Sequence, residues 1–510
     1  MNDILIGKGD IEVFLRGKYA NRHGMIAGAT GTGKSVSLML MAEGFSKLGV
    51  PVFLSDAKGD LAGLAQAAVP SDRLQARIDK LGMTWTPAAN PVVFWDIYGK
   101  LGTPVRTTIS EMGPILLARL FELNDTQSGV LEVVFRVADD EKLMLLDLKD
   151  LRAILNYVGS NAKAISLKYA LVSPTSIAAI QRSLLSMEAA GGDQFFGEPA
   201  LDLADFMRQD MSGRGIINVL AADQLILKPK LYSTFLLWLL SELFENLPEV
   251  GDLDVPKLVF FFDEAHLLFN DAPPALVQRV EQVVRLIRSK GVGVYFCSQN
   301  PDDIPPLILG QMGNRIQHAL RAFTPRDQKA VRAAAETFPP NPKVDVVVAI
   351  TELAVGEALV STLQAGGVPL PVERALIAPP GCRIGTITEE ERATIRGRSP
   401  VGSRYDTAVD RESAFEILAK RTEETAVVAE QEAAARSTSR TSSKTASGNG
   451  GGFMGTIKDM FLGSGRRQGL FESFAKSAVR NVGSSVGRQI GGATGGKFVR
   501  GILGSLMRGR

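Results

Sequence analysis

GATGTGKS, residues 28–35, matches G-x-x-x-x-G-K-[ST] at every fixed position. Its glycines let the backbone curl so that successive N–H groups turn inward, where they can cradle phosphate oxygens. Gly28, Ala29, Thr30, Gly31, Thr32 and Gly33 form the cradle. Lys34 then reaches the β- and γ-phosphates of a nucleotide, and the Ser35 hydroxyl is placed for Mg²⁺. Context supports this reading over a chance glycine turn: the apolar run HGMIAGAT precedes the loop, and a helical pattern from Ser35 to Leu48 follows it. A strand, a glycine turn and the positive end of a helix make an anion site, with ATP as the expected ligand.

A second stretch completes the chemistry. LVFFFDEAH, residues 258–266, puts five apolar residues ahead of Asp263 and Glu264. A buried strand tipped with adjacent carboxylates beside a phosphate loop can hold the metal with one and polarise the attacking water with the other. Asp263 is assigned to the Mg²⁺ and Glu264 to the water. A strand ending in Asp-Glu is common by itself, and its pairing with the phosphate loop gives it meaning.

Around these two stretches, strand and helix patterns alternate. PVFLSD (51–56), VVFWD (92–96), GIINVLA (215–221), KLVFFFDEA (257–265) and VGVYFCSQN (292–300) read as buried strands, and NRIQHALRAF (314–323) adds another. Helical patterns fall near 230–247 and 274–289. Such alternation predicts an α/β fold with a parallel-rich central sheet covered on both faces. The expected organisation is a first part of the ATPase core at 1–102, a helical insertion at 103–212, the second part of the core at 213–400 and a charged helical segment at 401–435. A Ser/Thr/Gly linker with a basic amphipathic tail is expected at 436–510.

Composition narrows the function classes. Of 510 residues, 45% are apolar and 22% charged, ordinary for a globular protein. No uncharged apolar run is long enough to span a bilayer, and acidic residues stand where a signal peptide needs a basic start, so a cytoplasmic location is expected. Two cysteines, Cys297 and Cys382, can build neither a disulfide framework nor a four-ligand zinc site. The net charge of +2 hides an asymmetry: residues 436–510 hold 13 basic against 2 acidic side chains. That tail suits DNA, an anionic membrane surface or a protein partner, although many basic tails are merely solvated.

The order of phosphate loop, DAKGD (56–60), FFFDEAH and RSKGVGVYFCSQN (288–300) resembles the HerA/FtsK superfamily, in particular bacterial HerA-like ATPases of the YjgR type. The resemblance covers about residues 1–400. It implies a RecA-like P-loop NTPase fold with an extra strand between the strand of the phosphate loop and the strand of Asp263, and assembly into hexameric rings. It further implies that Gln299 reads the γ-phosphate and that Arg22 or Arg288 acts as an arginine finger across a subunit boundary. Arg315, near the next strand, is a third candidate. Neither an LSGGQ-like signature nor an N-K-x-D motif supports an ABC or GTPase reading. The expected function is an ATP-hydrolysing DNA translocase or helicase-like motor. The alternatives are a nucleotide-gated scaffold and a protein-remodelling ATPase.

Overall fold

A strand buried on both faces of a sheet must be apolar at every position, and LVFFF and VGVYFCS satisfy this almost without exception. The computed structural model describes residues 2–251, 253–269, 274–322 and 324–442. The first half of the chain supplies β1 (Asp3–Lys8), β2 (Glu12–Arg16), β3 (Gly24–Ala27), β4 (Val52–Asp56), β5 (Val92–Asp96) and β6 (Thr103–Pro104). The second supplies β7 (Ile217–Ala221), β8 (Leu258–Phe262), β9 (Val292–Ser298), β10 (Asn314–Gln317), β11 (Glu357–Ser361) and β12 (Glu373–Ile377). All join one twelve-stranded sheet in the order β2-β1-β12-β11-β10-β3-β9-β8-β4-β7-β5-β6. From β10 to β6 every pairing is parallel, whereas β11, β12, β1 and β2 form an antiparallel wing.

Helices cover both faces. Helix α1 (Lys34–Lys47) leaves the phosphate loop, and α2 (Asp72–Leu81) follows β4. Between β6 and β7 lie α3 (Ile109–Leu120), α4 (Asp125–Asp140), α5 (Leu148–Ser160), α6 (Ala162–Lys168), α7 (Pro174–Ala189) and α8 (Gly192–Phe195). Further on come α9 (Pro229–Asn246), α10 (Pro274–Leu286), α11 (Pro306–Leu309), α12 (Pro325–Glu336), α13 (Val346–Glu352), α14 (Glu389–Gly397) and α15 (Ala414–Ser442). Alternate residues of each strand serve opposite faces: Phe53, Trp95, Phe260, Phe262 and Phe296 pack with the helices between β6 and β7 and with α9. Leu54, Phe94, Phe261, Tyr295 and Cys297 pack with α1.

Two expectations are corrected. NRIQHALRAF forms a strand only from Asn314 to Gln317, because its partner β3 ends at Ala27 and turns into the phosphate loop; the next residue, His318, makes the last ladder bond to the Ala27 carbonyl (2.7 Å) and turns its buried ring toward Ser37. Helix α15 runs through Ser442, past position 436 where the flexible linker was expected to begin, as an Ala-rich run can propagate helix into weaker residues. The rest of the linker and the basic tail lie outside the described residues. Residues 1–426 form one compact unit, and a second begins at Val427. No helix among the described residues is long and apolar enough to cross a membrane.

Asn218 of β7 is fully buried and has its polar atoms satisfied: it accepts from the Trp95 indole (2.9 Å) and donates to the carbonyl of Phe206 (3.0 Å). Asn218→Leu strands both partners without water. It is expected to cost about 2–3 kcal/mol, read as a lowered urea midpoint. An unchanged midpoint would show that the pair adds nothing to the core.

Candidate active site

Parallel strands point their C-terminal ends to one edge, and here β3, β4, β8, β9 and β10 deliver the functional residues there together. The phosphate loop is tied down at its root: Gly28 N–H donates to the Ser298 carbonyl (3.3 Å) and Ala29 N–H to the Ala319 carbonyl (2.8 Å). Gly28 has φ 152°, and a Cβ there would lie 2.5 Å from Cβ of His318, so only glycine fits. Lys34 is buried, its ammonium donating to the carbonyls of Gly28 (2.7 Å) and Ala29 (3.2 Å). Helix α1 begins at Lys34 with neither a side-chain cap nor an acidic first turn, which leaves its positive end to the loop.

Ser35 lies on the first turn of α1, and its hydroxyl donates to Asp60 Oδ2 (3.2 Å). The other oxygen of Asp60 is buried with no hydrogen-bond partner. Asp263, at the tip of β8, is pushed up to about 6 by burial and by the charges of Glu264 and Asp60. Asp56, ending β4, is pushed up to about 7 by burial and by Asp60. Crowded carboxylates with an orphaned oxygen are short of positive charge, which fits Mg²⁺. Among the described residues no three His, Cys, Asp or Glu side chains are grouped closely enough to hold a metal by themselves. Mg²⁺ takes waters and substrate phosphates into its shell beside its protein ligands. Ser35 and Asp263 would hold it, with Asp60 beside them, and it would neutralise charge on the β- and γ-phosphates.

Glu264 follows Asp263 in the left-handed region, φ 48° and ψ 49°, a strained conformation for a glutamate. Its side chain is 5% exposed and is held at both oxygens: Lys58 Nζ donates to Oε1, and Gln299 Nε2 donates to Oε2 at 3.3 Å. Burial pushes its pKa up, but Lys58 and Gln299 outweigh burial and keep the carboxyl below its ordinary range. His266 Nδ1 lies 3.2 Å from Oε2 without the alignment of a hydrogen bond. Lys34, Ser35, Asp263, Glu264 and Gln299, all singled out in the sequence, therefore share one edge of the sheet.

The arginines do not. Arg22 precedes β3, Arg288 precedes β9 and Arg315 is the second residue of β10, so all three sit toward the N-terminal ends of parallel strands, away from the phosphate loop. None is placed to reach a nucleotide bound to its own chain. The Arg315 guanidinium donates to the carbonyls of Met312 (3.1 Å), Thr337 (2.9 Å) and Leu309 (3.3 Å). Arg22 stacks over the Tyr19 ring, 5.1 Å from its centroid.

Three residues that sequence reasoning passed over belong to the site: Lys58, Asp60 and His318. The first two lie in the quoted DAKGD motif, which was the available signal. His318 had none. Its ring packs against the phosphate loop, with Nε2 2.8 Å from the Ser37 hydroxyl and Nδ1 3.0 Å from the Glu357 carbonyl.

A phosphate loop running from β3 into α1, carboxylates at the end of β8 and a strand interposed between β3 and β8 define a RecA-like P-loop ATPase fold. Residues 2–510 match the helicase HerA-like C-terminal family, and the chain belongs to that family. A probable helicase of Methanocaldococcus jannaschii is 31% identical over 131 residues, which take in 25% of this chain and 23% of that protein. Among solved structures, the bacterial conjugative coupling protein TrwB overlays 74% of this chain and 90% of its own at 12% identity and a TM-score of 0.49. VirB4 of Thermoanaerobacter pseudethanolicus overlays 76% of this chain and 97% of its own at 17% identity and a TM-score of 0.46.

Burial pushes His318 down to about 4, helped by the nearby Lys34 ammonium, and pushes His23 down to about 4, helped by Arg288. Between about pH 4 and 6.5 the unfolded chain binds these protons and the folded chain does not. Stability therefore rises with pH across that window, by on the order of 3 kcal/mol at most for each histidine. His318→Gln is expected to flatten the rise in urea midpoint between pH 4.5 and 6.5. A variant with the full slope would remove His318 from the account.

Proposed function

We propose that the chain binds Mg·ATP at residues 28–35 and hydrolyses it, and that it uses the cycle to move along or open DNA as a ring of identical subunits. The observation that carries the reading is the meeting of Lys34, Ser35, Asp263, Glu264 and Gln299 at one edge of the sheet. Loop amides and Lys34 take up phosphate charge, and Glu264 aligns a water for in-line attack on the γ-phosphorus. Gln299 donates to Glu264 from the end of β9, a position that suits a group reporting the presence of a γ-phosphate. The DNA substrate rests on membership of the helicase HerA-like family, and the hexameric ring on the resemblance to HerA/FtsK motors.

The test is steady-state ATP hydrolysis with and without double-stranded DNA, together with a mass measurement with and without nucleotide. Stimulation by DNA and a nucleotide-dependent multimer are expected. DNA-independent turnover by a monomer would assign the chain to the remodelling or scaffold class. Within the same assay, Lys34→Ala should weaken both nucleotide binding and turnover, and Glu264→Gln should retain nucleotide while turnover falls at least about 100-fold. Normal hydrolysis by Glu264→Gln would move the water-orienting role elsewhere.

An arginine that cannot reach its own phosphate loop can still serve a neighbour's, so we place Arg22 or Arg288 opposite the site of an adjacent copy. Mixing Lys34→Ala chains with Arg22→Ala or with Arg288→Ala chains should restore part of the lost hydrolysis through composite sites at mixed interfaces. Full activity of both arginine variants alone would end this assignment.

A further inference from the structure

DAKGD, residues 56–60, is the one quoted motif to which the proposed chemistry assigns no task beyond Asp60. Its geometry is built from the inside. The buried Asp56 carboxylate accepts from the backbone N–H groups of Lys58 (3.3 Å), Gly59 (2.7 Å) and Leu61 (3.2 Å), so the loop is wound around its first residue. Gly59 takes φ 78° at the turn. With the loop so folded, Asp60 meets the Ser35 hydroxyl on one side and Lys58 meets Glu264 Oε1 on the other. One five-residue loop thereby links the phosphate loop to the carboxylates at the end of β8.

The Lys58 side chain is 48% exposed and the Glu264 side chain 5%. Lys58 approaches a buried carboxylate from the open side of the site, and a solvated lysine gains little stability for the fold from one such pair. Glu264 is the residue with something to gain. It occupies a strained left-handed backbone position. A carboxylate offers about four lone-pair directions, and the contacts from Lys58 and Gln299 occupy one on each oxygen. His266 Nδ1 stands 3.2 Å from Oε2 without making a hydrogen bond, so lone pairs of the carboxylate stay unengaged.

We propose that Lys58 is a positioning residue for hydrolysis, holding Glu264 by Oε1 while Gln299 holds Oε2, so that the carboxylate presents its free lone pair to the attacking water. In that step the water oxygen bonds to the γ-phosphorus as the bond from phosphorus to the β–γ bridging oxygen breaks. The bridging oxygen keeps the electron pair and leaves with ADP, and the water proton hydrogen-bonded to Glu264 passes to its carboxylate and from there to a phosphate oxygen. The inference rests on the water-orienting role proposed for Glu264.

The full-length chain carrying Lys58→Met, Lys58→Arg, Glu264→Gln or Lys58→Met with Glu264→Gln tests it, read as kcat and KM for ATP with urea midpoints as a check on folding. Lys58→Met should lower kcat about tenfold or more while KM stays within about twofold, since the residue orients the base and does not bind the ground state. Lys58→Arg, which can still donate to Oε1, should recover most of the lost kcat. Added to Glu264→Gln, Lys58→Met should lower turnover no further. Wild-type kcat in Lys58→Met, a loss confined to KM, or failure of Lys58→Arg to recover would each overturn the proposal. Normal turnover by Glu264→Gln alone would instead sink the reading of Glu264 on which it rests.

Discussion

Everything at the active edge depends on strands running parallel in a sheet that is dry on both faces. Parallel neighbours force each strand to return through a helix, and the return leaves all their C-terminal ends on the same side. The residues that follow Ala27, Phe262 and Ser298 are neighbours in space because β3, β9 and β8 are paired in register, Ala27 opposite Ser298 and Phe262 opposite Phe296. The phosphate loop, the carboxylates and Gln299 are thus positioned by backbone hydrogen bonds before any side chain meets another. The aromatic run of β8 serves this end. Phe260 lies 5.1 Å from Phe53 on one face and Phe261 5.1 Å from Tyr295 on the other, fixing the strand from both sides.

The electrostatics at that edge are deliberately unbalanced. Asp56, Asp60, Asp263 and Glu264 converge where burial weakens solvation, and the shifts of Asp56 and Asp263 toward the neutral form record the cost. Lys34 is turned back on its own loop carbonyls, and Lys58 pairs with Glu264. The remaining demand for positive charge is the kind a Mg²⁺ ion would meet.

How much of this was legible in the sequence depends on how far apart the partners lie along the chain. The phosphate loop, α1 and β8 could be read because each is a local pattern: fixed glycine spacing, or an apolar run ending in carboxylates. Gln299 followed from resemblance. In the antiparallel wing, residues 1–24 read as short strands, but β11 and β12 went unread, since EALVS and ERALI carry too little apolar periodicity to declare themselves strands and owe their pairing to one another and to β1 and β10. Lys58 meets Glu264 across 206 positions and Ser37 meets His318 across 281, so no window of sequence could join them. The arginines differ again: resemblance suggested Arg22 and Arg288 as fingers acting across a subunit boundary, and strand direction puts them, with Arg315, toward the end of the sheet away from their own phosphate loop.

The short strand β6 bears on assembly. It closes one margin of the sheet with only two residues, and its second, Pro104, has no N–H to offer. A strand from another molecule arriving there finds almost no ladder to extend. Along this margin, copies of the chain cannot merge their sheets into a continuous ribbon. Any association there is left to side-chain surfaces.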